Sequence, residues 1–406
     1  MQNLFLTKER IEQLLVQYGS PLYVYSEQIL RQKCADMRGL LGAENSHVSF
    51  SVKANTNLSI LKIARDAGMY ADAMSAGEIF LCKQAGFAPQ EIFYVCNNVS
   101  ADEMRYAVDQ GLVVSIDSVN QMRVLASACP GARAAVRVNT EFGDGHSDKV
   151  VTAGKKTKFG VQLKFMQEVA EIAKAGGVKI VGLNQHIGSS VQNAKNYEAA
   201  ANVLIDMALE FPELEILDFG GGFFVPYRPE EEDIDLDDLR AMFVRLHDRI
   251  VAEHPNGANI SMRTEPGRYV VADCGILLGT VEDVKENFGK TYVGTDIGFN
   301  VLARPMLYDA YHHIVLPGHE GEEEKTVTVT GNICESGDVL AKERMLPLPN
   351  VGDPIVIQTA GAYGYVMSSV YNCRMRPAEV LIDLQGNDRL IRRRETIEDL
   401  LAPMLV

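Results

Sequence analysis

With 406 residues, of which 47% are hydrophobic and 23% charged, the sequence is typical of a globular protein with one large or two medium domains. Its net charge of −15 disfavours nucleic acids and anionic membrane surfaces as partners. No apolar run approaches the roughly 18 residues that span a bilayer, and the opening MQNLFLTKER lacks a cleavable signal pattern, so a cytoplasmic protein is predicted.

A repeating pattern begins at about residue 49, where short apolar runs alternate with helix-period segments that end at a glycine or another breaker. Between two of the runs, Ser100 and Glu103 predict a capping box, and Gly111 follows the end of that helix. The runs predict eight strands: Val48–Lys53, Met69–Ala73, Ile92–Cys96, Val113–Ile116, Ala134–Val138, Ile180–Leu183, Ile216–Phe219 and Asn259–Arg263.

Eight strand–helix repeats predict an α/β fold, namely a (β/α)₈ TIM-type barrel over residues 28–268. An open doubly wound sheet is the alternative. The barrel is favoured because no G-x-G-x-x-G follows the first strand and because eight repeats complete one barrel. The glycine- and lysine-rich segment Gly143–Lys158 is long for a connecting loop and is predicted to be mobile or lid-like.

After about Tyr269 the pattern changes to strand-like runs separated by turns, which predicts a β-rich barrel or sandwich over residues 269–406. Residues 1–27, with one amphipathic helix and the strand-like PLYVYS, are expected to pack with it. The seven cysteines are scattered and include no C-x-x-C pair. Free thiols in a reducing compartment and no structural metal site are therefore predicted.

Polar residues follow several predicted strands, at the barrel end where active sites form. Lys53 ends the first strand, and a lysine desolvated there is suited to form an imine, although most single lysines are surface residues. His186 follows the sixth strand and could stack on a ring or be structural. The glycine run Gly220–Gly222 follows the seventh strand and suits a phosphate, although glycines are also ordinary in turns.

The eighth strand is followed by Glu265-Pro-Gly-Arg268, which places a carboxylate and a guanidinium at the same mouth, with a surface ion pair as the alternative. Asp72, Ser75, Glu78, Asn97, Asn98, Asp117 and Arg137 lie at other strand ends. The β-rich part contributes three further clusters: Arg304–Tyr308, Cys334–Asp338 and Gly361–Tyr365.

Taken together, FSVKANTN, NQHIGSS, DFGGGF, EPGR, CESGD and GAYGYVMS resemble the pyridoxal-phosphate (PLP) decarboxylases of fold type III, the alanine-racemase-like group, and among them most closely the diaminopimelate decarboxylases. The match runs from PLYVYS to YNCRMRPAEVLI and covers nearly the whole chain. The resemblance implies a PLP enzyme of lysine biosynthesis that converts meso-2,6-diaminopimelate to L-lysine and carbon dioxide. It also implies a homodimer whose active sites are shared across the interface.

The resemblance assigns roles to residues as follows. Lys53 carries the cofactor covalently, His186 stacks on its ring and Glu265 pairs with the pyridine nitrogen. Cys334 donates a proton, reaching the other subunit together with Glu335. The implied cofactor-binding residues are Lys53, Asp72, His186, Ser189, Gly221, Gly222, Glu265, Gly267, Arg268 and Tyr363; the implied substrate-binding residues are Arg268, Arg304, Tyr308, Glu335 and Tyr363.

The arginines favour a substrate with a distal carboxylate, because fixed guanidinium groups bind carboxylates bidentately. Asn184 and Cys96 depart from the family pattern near the cofactor. A related decarboxylase acting on another amino acid, or on a siderophore or antibiotic intermediate, is therefore an alternative. A PLP-homeostasis protein would not need the β domain or CESGD, and a cofactor-free lysine aldolase would not need the phosphate cradle.

Overall fold

The structure is a computed structural model, and it describes residues 4–141, 154, 157–189 and 194–405. Most of the segment Gly143–Lys158, for which a lid was predicted, lies outside these residues. The described strands are β1 Leu22–Ser26, β2 His47–Ser51, β3 Tyr70–Ala73, β4 Ile92–Val95, β5 Val113–Ile116, β6 Arg133–Asn139, β7 Val161–Gln162, β8 Lys179–Asn184, β9 Ile216–Asp218, β10 Ser261–Thr264, β11 Gly275–Asn287, β12 Lys290–Thr295, β13 Ile314–Val315, β14 Glu324–Thr330, β15 Val339–Pro347, β16 Pro354–Ile357, β17 Ala378–Ile382 and β18 Asp388–Arg392.

Along the barrel, helices alternate with the strands as the sequence pattern predicts. No helix in the described ranges has the length and apolar character needed to cross a membrane. The described helices are α1 Lys8–Tyr18, α2 Glu27–Arg38, α3 Leu58–Asp66, α4 Ala76–Ala85, α5 Ala101–Asp109, α6 Val119–Ala128, α7 Met166–Ala175, α8 Ala194–Ala208, α9 Leu236–Glu253, α10 Arg268–Val271, α11 Arg304–Tyr308 and α12 Ile397–Leu401.

The chain divides into two compact units, one made of Arg31–Val225 and Asp233–Val270, the other of Met1–Leu30, Pro226–Glu232 and Val271–Val406. The first unit contains a parallel sheet in the order β5-β4-β3-β2-β10-β9-β8-β6. Pairing of β5 with β6 closes this sheet into an eight-stranded barrel. The barrel prediction is confirmed, and closure excludes the open doubly wound sheet.

Strand positions agree with the prediction to within about two residues in most cases, because apolar runs bounded by turn residues locate barrel strands well. In the first strand, a difference of two residues at the end has consequences. It ends at Ser51, and Lys53 lies in the 3₁₀ turn Val52–Ala54 that follows, so the strand predicted through Lys53 was too long.

Helix α5 begins as predicted but is capped differently. The Ser100 side chain accepts the Glu103 N–H at 3.2 Å, as an N-cap does. The Glu103 carboxylate, however, accepts a hydrogen bond from the Tyr94 hydroxyl at 2.7 Å. The Ser100 half of the predicted capping box is therefore confirmed, whereas the Glu103 side chain links helix α5 to Tyr94 of strand β4.

The second unit is built on a sheet in the order β15-β14-β12-β11-β1-β17-β18, with β16 pairing with both β11 and β13. Strand β1 pairs antiparallel with β11 and parallel with β17, so the N-terminal segment is an internal strand of this sheet. Ile11 and Leu14 of α1 pack on its apolar face. Strands β13, β15 and β18 were not predicted from the sequence.

Candidate functional site

Lys53 lies half-buried at the C-terminal rim of the barrel, directly after β2. The neighbouring Ser51 connects this rim to two other strand ends. Its hydroxyl donates to the Asp72 carboxylate at 2.6 Å, and its N–H donates to the Pro266 carbonyl at 3.2 Å. Barrel closure thereby brings residues 51, 72 and 266 together around the turn that carries Lys53.

Three carboxylates in the barrel are at most 4% exposed: Asp72, Asp218 and Glu265. Burial raises the pKa of each, because a low-dielectric interior disfavours the charged form. The charge of Lys53 opposes this effect at Asp72 and Glu265. The charge of Arg137, which is buried near the end of β6, also lowers the pKa of both of these carboxyls. The site is therefore an enclosed cluster of acids and cations, not a set of surface ion pairs.

Two further acids lie at neighbouring strand ends. Burial raises the pKa of Glu78 to about 7, although the Met74 N–H and Lys53 oppose the shift. Burial likewise raises the pKa of Asp117 to about 6, opposed by the charge of Arg137. Carboxyl groups with pKa values near neutrality at a barrel mouth are typical of functional sites.

His186 is oriented by the glycine run. The Gly221 N–H donates to His186 Nδ1 at 3.1 Å, which places the ring proton on Nε2. Burial, together with the charges of Lys53 and Arg137, lowers the pKa of His186 well below its ordinary value. The imidazole is consequently neutral at physiological pH.

The glycine run Gly220–Gly222 has no room for a side chain at its centre and adopts backbone conformations that favour glycine on either side. A Cβ on Gly221 would lie 2.0 Å from the Glu265 carbonyl oxygen. Gly220 and Gly222 have φ values of +74° and +97°, in the region that favours glycine. The Gly220 carbonyl accepts from the Glu265 N–H and the Tyr197 hydroxyl, both at 2.9 Å. The run is thus fixed to both the histidine and the glutamate.

The remaining predicted barrel residues lie at the same rim. A Cβ on Gly267 would lie 2.9 Å from the Ser51 side chain, so this glycine allows the loop after β10 to approach the Lys53 turn. Arg268 begins helix α10 and is half-buried. Ser189 is half-buried in the bend after β8.

In the second unit, the Arg304 guanidinium is held in a defined position. It is buried, contacts His312 Nε2 through Nη1 at 2.8 Å, and lies 4.6 Å from the centre of the Tyr227 ring. Tyr308, at the end of the same short helix, is half-buried. Tyr363 is also half-buried and has a φ of +57°.

Cys334 and Glu335 are exposed on a turn that is firmly anchored. The buried Asp338 carboxylate accepts the Ile333 N–H at 2.7 Å and so fixes one end of the turn. The Cys334 N–H donates to Asn372 Oδ1 at 2.8 Å. The thiol and the carboxylate are therefore presented to solvent from a rigid support.

The barrel unit brings together Lys53, Asp72, His186, Gly221 and Glu265, whereas Arg304, Tyr308, Cys334, Glu335 and Tyr363 belong to the β-rich unit. Asp218 was not selected from the sequence, and Arg137 was noted there only as a polar strand end. Both interrupt apolar strand runs, AAVRV and ILDF. A charged residue within an apolar strand is rarely buried without a partner, and this signal could have identified them.

Comparisons with known proteins agree with this geometry. The family model "Pyridoxal-dependent decarboxylase, pyridoxal binding domain" matches residues 27–272. Diaminopimelate decarboxylase of Methanothermobacter thermautotrophicus is 40% identical over 96% of this chain and 92% of its own length. A crystal structure of a diaminopimelate decarboxylase superposes with a TM-score of 0.92 at 33% identity, covering both chains fully. The Helicobacter pylori diaminopimelate decarboxylase complexed with L-lysine gives a TM-score of 0.89 at 30% identity, covering 97% of this chain and 98% of that one.

Proposed function

Because the chain belongs to the family of pyridoxal-dependent decarboxylases, we propose that it decarboxylates meso-2,6-diaminopimelate to L-lysine and carbon dioxide. The observation that carries the chemistry is the position of Lys53 beside buried carboxylates at the barrel mouth. The substrate is proposed from the likeness to diaminopimelate decarboxylases along nearly the full chain. We place the activity in the cytoplasm, because cysteines that form no disulfide suit a reducing compartment.

The residues of the barrel fit pyridoxal phosphate. Glu265 Oε1 is buried and accepts no hydrogen bond within the described part of the chain, so a ring N–H would satisfy it. The glycine run, in which a Cβ at Gly221 would meet backbone, leaves room for a phosphate to approach main-chain N–H groups. Lys53 supplies the amine for covalent attachment, and the neutral His186 supplies a flat ring.

When bound, pyridoxal phosphate supplies a carbonyl that joins amines covalently and a protonated pyridine that withdraws electrons from the bond to the departing carboxylate. Glu265 would keep the proton on that ring nitrogen, since an adjacent carboxylate favours the protonated form. His186 would hold the ring plane, and Asp72 would balance the charge of Lys53. The Cys334 thiol would deliver the proton that replaces carbon dioxide.

Substrate selection is proposed to depend on Arg268 and Arg304, because a guanidinium can bind a distal carboxylate in a bidentate manner. Arg304 supports this role, since its contact with His312 holds it in place before any substrate arrives. Tyr308, Glu335 and Tyr363 would complete the substrate site, and Tyr363 together with Ser189, Gly222 and Gly267 would complete the cofactor site.

The exposure of the Cys334 thiol supports a homodimer. Cys334 and Glu335 lie on an exposed turn, and Met306, which is 42% exposed, lies beside Gly337 of the same turn. We propose that this surface contacts a second copy and completes its active site.

Mixing inactive Lys53→Ala and Cys334→Ala proteins should then restore up to about a quarter of wild-type activity, because half of the randomly formed dimers would contain one intact site. No recovery, with exchange of subunits verified, would contradict a shared site.

The test of the proposed reaction is a substrate panel. Purified protein loaded with cofactor is assayed for carbon dioxide release from meso-diaminopimelate, lysine, ornithine and siderophore-type amino acids. We expect preference for diaminopimelate, and an Arg304→Leu variant should lose that preference while still binding cofactor. Preference for a substrate without a distal carboxylate would overturn the substrate assignment.

The role of Lys53 is tested separately by absorbance. The Lys53→Ala protein should lack the visible band of the lysine-bound cofactor, whereas Lys62→Ala, a change on helix α3, should retain it. A persistent band in Lys53→Ala would show that another lysine holds the cofactor.

A further inference from the structure

The Asp218 carboxyl connects two parts of the cofactor site. It is fully buried at the end of β9, and its Oδ1 accepts the Gly220 N–H at 2.8 Å. This bond fixes the first residue of the glycine run in its left-handed conformation, with φ at +74°. Among the described residues, no N–H or hydroxyl group donates to the other oxygen, Oδ2.

The same carboxyl is in hydrogen-bonding contact with the carboxyl of Glu265. Glu265 Oε1 likewise receives no N–H or hydroxyl donor within the described ranges. A carboxylate is only an acceptor, so a hydrogen bond between two carboxyl groups requires one proton. A hydrogen bond between Asp218 and Glu265 therefore requires that the pair hold a single proton.

The charged groups around Asp218 and Glu265 favour one proton on this pair rather than none or two. Two adjacent carboxylates shielded from water cannot both ionise without a large energetic cost. Nearby cations favour keeping one negative charge on the pair, which disfavours double protonation. The groups that face the pair are Lys53 after β2, Asp72 on β3, Arg137 on β6, Tyr197 on α8 and Arg263 on β10.

We propose that Asp218 is a positioning residue, which takes the shared proton when the cofactor is bound so that Glu265 faces the ring nitrogen as the anion, and which at the same time holds the glycine run that receives the phosphate. The inference rests on the proposed function only for the cofactor, not for the substrate. The proton moves from a Glu265 oxygen to Asp218 Oδ2, and no other group changes its protonation state.

Two substitutions separate this role from a merely structural one. Asp218→Asn keeps an oxygen for the Gly220 N–H and offers an N–H to Glu265, so it mimics the protonated aspartate. Asp218→Ala removes both interactions and leaves the Gly220 N–H unpaired. Asp206→Asn, on helix α8 where the aspartate is exposed, serves as the matched control.

The readouts are cofactor affinity and the infrared band of a buried protonated carboxyl group, both measured on the cofactor-loaded protein without substrate. Asp218→Asn should bind cofactor within about threefold of wild type, and Asp218→Ala should lose about tenfold or more, as expected for an unpaired buried donor. The wild-type spectrum should contain a carboxyl band that Asp218→Asn lacks and Asp206→Asn retains. If Asp218→Ala does not fold, Glu265→Gln serves in its place, since it should also remove the band by leaving Asp218 ionised.

Persistence of the band in Asp218→Asn, or an affinity loss in that variant as large as in Asp218→Ala, would overturn the proposal. A wild-type protein that binds cofactor but releases no carbon dioxide from diaminopimelate would refute the proposed substrate instead. The two failures are distinguishable because the carboxyl band and the cofactor affinity are measured with no substrate present.

Discussion

Replacing Glu78 with glutamine should stabilise the cofactor-free protein, and only at higher pH. Glu78 lies in the first turn of α4, where its carboxylate accepts the Met74 N–H at 2.7 Å. Burial, reinforced by the nearby Asp72, raises its pKa from 4.5 to about 7, against the opposing effects of the Met74 N–H and Lys53. The glutamine oxygen can accept the same N–H, so the substitution removes the charge and retains the contact.

The magnitude follows from the pKa. Raising the pKa of Glu78 from 4.5 to about 7 corresponds to about 3 kcal/mol lost from the free energy of unfolding once the carboxyl is ionised. The folded-state pKa lies above the unfolded one, so the loss is absent below pH 4.5, grows up to about pH 7 and is complete above it. Glu78→Gln should therefore gain about 3 kcal/mol at about pH 8 and under about 1 kcal/mol at about pH 5.

Urea unfolding at these two pH values, followed by circular dichroism, measures the gain. Glu213→Gln, a change at an exposed site in the same unit, should give no difference between the two pH values. A gain that is equal at both pH values would show that the effect comes from helix propensity or packing. In that case the buried-charge explanation would be wrong.

Two other substitutions test separate parts of the structure. Gly221→Ala should weaken cofactor binding by at least about tenfold and destabilise the fold by about 1–3 kcal/mol. The reason is that the new Cβ would lie 2.0 Å from the Glu265 carbonyl oxygen. Unchanged cofactor affinity in a titration would contradict this close approach. His319→Gln should destabilise the β-rich unit by up to about 1 kcal/mol at acidic pH and less at alkaline pH. Hydrogen bonds to Glu322 and Asp353 raise the His319 pKa, against the opposing effect of burial. The stabilisation from protonated His319 is therefore complete below pH 6.5 and is lost as the pH rises through the raised pKa. Thermal melts across this pH range check the sign.

Much of the barrel could be predicted from the sequence, because its determinants are local. Apolar runs with turn residues at their ends located the strands, and β5 occupies the predicted range Val113–Ile116. Eight repeats then indicated a barrel. The end of β2 was misplaced, because nothing local distinguishes SFS from the VKA that turns into a 3₁₀ helix.

The candidate site was predicted in part for the same reason. Lys53, His186 and Glu265 follow strands, and parallel strands in a barrel end at one rim whatever the details of packing. The glycine run was also identifiable, since its φ values of +74° at Gly220 and +97° at Gly222 suit glycine. Residue type and position relative to a strand were enough to predict that these residues lie at the rim.

Only the tertiary structure decided which charges meet and how far they are removed from water. Asp218 and Glu265 are 47 positions apart in the sequence, and adjacent strands β9 and β10 bring their carboxyls into contact. Burial then determines their ionisation, as it does for Glu78. Sequence neighbours cannot specify such a pair, because desolvation and proton sharing depend on the enclosing barrel and not on the local chain.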